Sequence, residues 1–234
     1  MEYSEEELKI IEESTNWVKK NQKKIIERFA KDAEYVEETV PITLFMAGSP
    51  GAGKTEISKR LIQRFNQKPI RIDADEIRSL CDGYIGINAH LFQKAANKGV
   101  NILYDYALQH KHNVILDGTF AYAGVVENIQ RSLDKGRKVE IFFVYQDPLQ
   151  AWDFTKKREE IEKRRVSKEV FINAFFKSQE NVNKVKACFG SLIELNIIIK
   201  DFEKDLERLE INAPKIDNFI KTVYTVDSLN NQLL

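Results

Sequence analysis

Cysteine is nearly absent: Cys81 and Cys188 are the two in 234 residues. That excludes a disulfide framework and leaves no cysteine-rich metal site. Surplus charge of one sign is missing as well, because 36 Lys+Arg balance 36 Asp+Glu to a formal net charge of zero. Chains that hold nucleic acid by its phosphates usually carry a basic excess, so a dedicated nucleic-acid binder is not expected. The longest wholly apolar stretch, Ile141–Tyr145, is far too short to cross a bilayer, and no membrane partner is expected. The opening segment MEYSEEELK is acidic and lacks the apolar core of a secretory signal. Internal repeats, low-complexity tracts and Pro/Gly-rich linkers are also missing, so residues 1–234 read as a single domain. What remains is a globular balance. The 43% hydrophobic content can offset chain entropy despite 31% charged residues, which argues against disorder. A soluble protein of a reducing compartment, the cytoplasm, is expected.

The periodicity divides the chain into three stretches. In residues 1–38, Ser4 and Glu7 form a capping box that opens a helix over 4–35. Leu8, Ile11, Val18, Ile25, Ile26 and Phe29 recur at helical spacing, as on a helix docked against the body of the protein. Residues 40–200 alternate short apolar runs with amphipathic segments. The runs are Ile42–Ala47, Pro69–Asp73, Asn113–Asp117, Val139–Tyr145 and Ile193–Ile199; the helical stretches are 54–66, 88–110, 122–135 and 148–186. Near-continuous Val/Ile/Leu/Phe strands separated by helices predict an α/β fold, a three-layer arrangement around a mostly parallel sheet of about five strands. Residues 201–234 read as a C-terminal helical extension over 201–231, interrupted at Pro214, which cannot donate to a helical ladder.

The strongest motif is Gly48-Ser49-Pro50-Gly51-Ala52-Gly53-Lys54-Thr55, between an apolar strand and an amphipathic helix. It matches the phosphate-binding loop GxxxxGK[ST]. Glycines let the backbone turn its N–H groups inward around phosphate oxygens, and the following helix adds its positive dipole end. Lys54 is expected at the β- and γ-phosphates, and Thr55 is expected to hold Mg²⁺ through its hydroxyl. ATP and Mg²⁺ are therefore the expected cofactors. No NKxD-type guanine segment is present, and 234 residues suit a small phosphotransferase in which a hydroxyl acceptor faces the γ-phosphate.

Acids stand at two strand ends, where ligands of open α/β sheets gather. Asp73 and Asp75 close the second run, and Asp117-Gly118-Thr119 closes the third. An acceptor hydroxyl needs a carboxylate to orient it and take its proton. Asp75 is the first choice for that base, at the mouth of the next helix, with Asp73 the second; capping of that helix is the structural alternative for both. Asp117 follows three apolar residues, as a Walker B aspartate does, so metal or acceptor contact is expected there, with Thr119 offering a hydroxyl. The stretch Lys156–Arg165 contains i,i+4 ion pairs typical of a solvated helix, yet its position also suits a lid whose Arg158, Arg164 and Arg165 cover the phosphates. His90, His110 and His112 are expected at the surface or at helix ends, and Trp152 with Phe171, Phe175 and Phe176 in the core.

Taken in order, Gly48–Thr55, Ile72-Asp73-Ala74-Asp75, Leu116-Asp117-Gly118-Thr119, Arg158 and Arg164-Arg165 resemble the zeta toxin family, P-loop kinases that phosphorylate UDP-N-acetylglucosamine. The resemblance covers residues 41 to about 200. It implies that Lys54 and Thr55 handle ATP and Mg²⁺, that Asp75 is the base, that Asp117 and Thr119 hold the sugar, and that Arg158 and Arg164 contact phosphates. It also implies a protein antitoxin as partner. Two positions depart from the best-known members: Asp117 stands where they carry Glu, and Ala121 where they carry an Arg that would contact the acceptor's diphosphate. A polynucleotide 5′-hydroxyl kinase and a non-catalytic ATP-binding module remain the alternatives.

Overall fold

The computed structural model describes residues 3–31, 34–201, 206–221 and 223–233. Helix α1 (Glu5–Lys20) starts on the Ser4–Glu7 capping box, with Glu7 N–H donating to Ser4 Oγ at 3.2 Å and Ser4 N–H to Glu7 Oε2 at 2.9 Å. The single helix expected over 4–35 is broken. At Asn21 the side-chain amide donates to the Trp17 carbonyl, competing with the helical ladder, and α2 (Gln22–Phe29) begins anew. Residues 32 and 33 lie outside the described part. Val18 and Ile25 are buried, and both helices pack on α5, while Leu8 stays exposed.

All five expected strands form. They are β1 (Ile42–Ala47), β2 (Ile70–Asp73), β3 (Val114–Asp117), β4 (Lys138–Tyr145) and β5 (Ile193–Asp201). Between them run α3 (Lys54–Leu61), α4 (Ala74–Arg78), α5 (Gln93–Gln109), α6 (Val125–Leu133), α7 (Pro148–Glu162) and α8 (Lys168–Phe189). The sheet has six strands in the order β2-β3-β1-β4-β5-β6, the first five parallel. The sixth, β6 (Leu206–Glu210), runs antiparallel to β5, pairing Ile197 with Glu210 and Asp201 with Leu206. This corrects the expected C-terminal helix over 201–231. The apolar spacing of Leu206 and Leu209 fits a helix, but an open β5 edge supplies a ladder that overrides local preference. Asn212 then takes a left-handed conformation, a 3₁₀ turn follows at Ile216–Asn218, and α9 (Val226–Gln232) closes the described chain. Residues 202–205, within that expected helix, lie outside the described part.

Successive β1 side chains show why both sheet faces are covered. Phe45 and Ala47 enter the larger core with Ile72, Leu103, Tyr104 and Phe143; Leu44 and Met46 enter a second one beneath α3 with Ile57, Ile115 and Val144. A third cluster joins Trp152, Phe171, Phe175 and Leu229, with Phe176 packed against it, so the aromatic group is core as expected. His112 departs from expectation, being buried beside Tyr106 and His110. The helix expected over 148–186 is interrupted by residues 163–167. Lys163 is left-handed at φ 58°, and Ser167 caps α8 by accepting from the Val170 N–H. Among the described residues no helix is long and apolar enough to cross a membrane.

Candidate active site

The phosphate-binding loop leaves β1 at the carboxyl edge of the sheet and feeds α3. Two glycines there admit no other residue. A Cβ on Gly48 (φ 131°) would lie 2.3 Å from the Val144 carbonyl oxygen, and one on Gly51 (φ 72°) would lie 1.9 Å from that of Ala151 in α7. Ser49 is buried, and Ala52 N–H donates to its carbonyl at 3.3 Å. Pro50 and Gly53 complete a turn that ends at the first residue of α3, whose leading N–H groups have no helical partners. Lys54 folds back across the loop and donates to the Ser49 carbonyl at 2.6 Å. Burial pulls its ammonium down to about 8; Asp117 and Asp73 resist, while Arg164 and Arg158 add to the fall. Thr55 stands half-buried in the first turn of α3.

Asp117, at the end of β3, is almost wholly buried. Its Oδ2 accepts from Ser58 Oγ at 2.6 Å and from Arg71 Nε and Nη2 at 3.0 and 2.6 Å. Ser58 also donates to the Thr55 carbonyl, tying this acid to the turn that carries the threonine. Arg71 was not singled out from the sequence. It alternates with Asp73 along β2, so both share one face, and its guanidinium also reaches Asp73 at 2.7 Å and Glu76 at 2.5 Å. Burial disfavours the Arg71 charge, but Asp117, Asp73 and Glu76 together hold it more firmly than usual.

Asp73 is the cap of α4, accepting from the Asp75 N–H at 2.9 Å, so the capping role weighed for both acids falls on Asp73. Burial, then the Asp75 and Asp117 charges, push its carboxyl above the usual range. Asp75 lies between two guanidiniums. Arg78, one helical turn on, pairs with Oδ1; Arg164, in the loop between α7 and α8, meets Oδ2 at 2.6 Å. Arg78 further donates to Gln93, and burial lowers its pKa. The Arg78 signal was present as an i,i+3 acid–base pair; Arg164 was expected in the lid, but its contact with Asp75 was hidden by the continuous helix expected there.

The other lid arginines sit differently. Arg158 is half-buried on α7 and pairs with Glu162 at 2.7 Å, its charge also felt at Lys54. Arg165 is exposed, and among the described residues no ion pair ties it to the site. Thr119 is half-buried, its carbonyl accepting from the Gly48 N–H at 3.2 Å. The next residue, Phe120, holds a left-handed φ of 61° with its ring buried against Phe45, and Asn181 of α8 donates to the carbonyls of Phe120 and Tyr122. A non-glycine in that conformation costs of order 1–3 kcal/mol and persists only where its surroundings impose it.

Charge is thus sorted across the cleft. Toward β2 and β3, the carboxylates Asp73, Glu76 and Asp117 share Arg71, and among the described residues no three acidic, histidine or cysteine side chains form a metal cage. Toward the lid, Arg78 and Arg164 pair with Asp75, and Arg164 together with Lys54 brings positive charge suited to phosphate oxygens. These cations and the loop fit a triphosphate, and a Mg²⁺ bound with it would take one or two protein oxygens, the Thr55 hydroxyl first, beside the nucleotide's own.

No curated protein matches the sequence closely enough to serve as a relative. Among solved structures, a chain of the PezAT chromosomal toxin–antitoxin system of Streptococcus pneumoniae superposes with a TM-score of 0.60 at 18% identity, over 100% of this chain and 89% of that one. A chain of the AvrRxo1-ORF1:ORF2 complex with ATP gives 0.57 at 14% identity, over 97% and 80%, and one with sulfate ions gives 0.56 at 15%, over 99% and 82%. At such identities the likeness shows the shared P-loop kinase fold. A family model described as zeta toxin matches residues 6–208, from α1 into β6, and on that match the chain belongs to the zeta toxin family.

Proposed function

We propose that this protein is an ATP-dependent kinase that moves the γ-phosphate to a hydroxyl of a small acceptor, the sugar of UDP-N-acetylglucosamine. The observation that carries the reading is Arg164, whose guanidinium pairs with the acid Asp75 at 2.6 Å and whose charge also reaches the phosphate-loop Lys54. Lys54 and the backbone of Gly48–Thr55 bind the triphosphate. Thr55 and Asp117 would hold Mg²⁺, which would supply charge neutralisation to the reacting phosphates. Asp75 takes the acceptor's proton as its oxygen bonds to the γ-phosphorus; the bond to the β,γ-bridging oxygen breaks and ADP leaves. In the structure Arg164 occupies Asp75 Oδ2 and Arg78 holds Oδ1, so it is Oδ2 that becomes free to act as base when Arg164 transfers to phosphate oxygens. Thr119, fixed by Gly48 and by the Asn181-held turn, orients the acceptor, and Arg158 adds positive charge from α7. Arg165 is given no phosphate contact in this reading.

Residues 40–200 constitute the kinase core, flanked by a helical segment at 1–38 and the β6–α9 extension. Family membership, together with a solved neighbour from a toxin–antitoxin system, supports a toxic role and a protein antitoxin as partner. Incubation with Mg²⁺–ATP and UDP-N-acetylglucosamine, followed by mass spectrometry, tests the acceptor. One added phosphate on the sugar is expected. ATP consumption with an unmodified nucleotide sugar would remove this acceptor, and phosphorylation of an oligonucleotide 5′-hydroxyl would replace the reading with the polynucleotide one.

A further inference from the structure

Lys200 lies outside every motif of the sequence and beside the phosphate loop in space. In the sheet, Ala47 of β1 is level with Phe143 of β4, and Phe143 with Ile197 of β5. Lys200 is three residues further along β5, which lifts it about 10 Å above that level at ~3.3 Å per residue. The loop occupies that same edge. The lysine stem lies flat on Gly53: a Cβ there would stand 2.9 Å from Nζ, 3.5 Å from Cδ and 3.7 Å from Cε. Its side chain is only about one-fifth exposed, and the ammonium is turned to Glu56 Oε2 at 2.8 Å. Glu56 itself is an exposed carboxylate in the first turn of α3, with a second cation, Arg60, at 3.7 Å. An ion pair to so exposed a partner contributes about 0–1 kcal/mol, so it yields readily to a stronger anion. A polyphosphate in the loop is such an anion.

We infer that Lys200 is a further nucleotide-binding residue, exchanging Glu56 for the α-phosphate of the nucleotide held by the loop. The inference rests on the nucleotide-binding part of the proposed function. Lys54 already crosses the inside of the loop toward the β- and γ-positions, whereas Lys200 approaches from the β5 side, at the glycine where the loop becomes helix. Glu56 keeps Arg60 after the exchange, so no carboxylate is stranded.

Equilibrium binding of Mg²⁺–ATP and Mg²⁺–ADP, by calorimetry on the full chain, tests this. Lys200→Met retains the stem on Gly53 and removes the charge. Loss of a charge-assisted hydrogen bond predicts about tenfold weaker binding of both nucleotides, by the same factor because both carry the α-phosphate. Lys200→Arg should hold both affinities within a few-fold, and Glu56→Gln should leave them unchanged or tighter. Unchanged affinity in Lys200→Met with a lowered melting temperature would reduce Lys200 to a structural pair. Recovery of full affinity in the Lys200→Met/Glu56→Gln double variant would mean that Lys200 only masks Glu56, and either result overturns the inference. Failure of the unaltered protein to bind ATP at all would instead overturn the proposed function.

Discussion

Replacing Asp75 by Asn changes one oxygen to an amide and leaves the shape of the site intact. The effect on catalysis follows from what surrounds that carboxylate. Arg78 pairs with one carboxylate oxygen and Arg164 with the other; an Asn that keeps its oxygen on the buried Arg78 gives up only the Arg164 contact, which nucleotide phosphates replace. Nucleotide contacts run through Lys54, the loop backbone and Arg164, and ATP affinity should stay within a few-fold. Proton acceptance is what disappears, and loss of a general base costs about two to four orders of magnitude in kcat. Asp73→Asn is the matched control. Asp73 caps α4 through a side-chain oxygen, and Asn caps about as well as Asp, so helix α4 loses only a few tenths of a kcal/mol. Its ion pair to Arg71 goes, but Asp117 and Glu76 still hold that guanidinium. A fall of less than about tenfold in kcat is expected for Asp73→Asn, well short of the loss of a general base. Steady-state ADP release at saturating ATP and acceptor, with melting curves for both variants, makes the comparison. An inactive Asp73→Asn beside a near-normal Asp75→Asn would refute the assignment of the base.

Lys54→Ala should lose several orders of magnitude in turnover, since no other cation of the loop can bridge the β- and γ-oxygens; retention of a tenth of normal activity contradicts that role. The same lysine predicts a pH effect. Its ligand-free pKa is about 8, and phosphate oxygens raise it on binding, so ATP binding takes up a proton near pH 8 and affinity falls as pH rises through that value. Calorimetry in two buffers of different ionisation enthalpy should show the uptake at pH 8 and little at pH 6. Arg164→Ala should lower kcat more than ATP affinity, Arg158→Ala should do so to a smaller extent, and Arg165→Ala should do neither; equal effects of Arg164 and Arg165 would sink the placement of the lid. Asn181→Ala leaves the buried carbonyls of Phe120 and Tyr122 without their donor and should cost about 1–3 kcal/mol in urea unfolding, with no loss expected if the turn holds itself.

Much of the fold is legible because parallel strands buried on both faces must be continuously apolar. The five runs found in the sequence are the five parallel strands, each within a residue or two of its bounds. Helix ends were less legible. Asn21 and the Lys163–Ser167 segment stop helices through local side-chain and backbone conformations that apolar periodicity does not register. The β6 segment was misread because the three-residue spacing of Leu206 and Leu209 fits a helix, and only pairing to the open edge of β5 overrides it. Within the site, residues carried by short motifs were readable: the loop, the two acids of the second strand end, and Asp117. Arg71 and Lys200 were not, because the buried partner of Arg71, Asp117, and the partner of Lys200, Glu56, both lie far away in sequence. Arg164 was seen as a lid residue, but its contact with Asp75 depends on the break between α7 and α8.

The central claim is transfer of the γ-phosphate of ATP to a small-molecule hydroxyl, and a label on that phosphate tests it most directly. Purified protein, Mg²⁺ and ATP labelled at the γ-position are mixed with a cell-metabolite extract, and the products are separated and weighed by mass spectrometry, with Lys54→Ala in parallel. The account predicts label in one phosphorylated small molecule, UDP-N-acetylglucosamine phosphate, formed by the unaltered protein and absent with the variant. Label found only in inorganic phosphate or on polynucleotide ends, or the same products from both proteins, would contradict it.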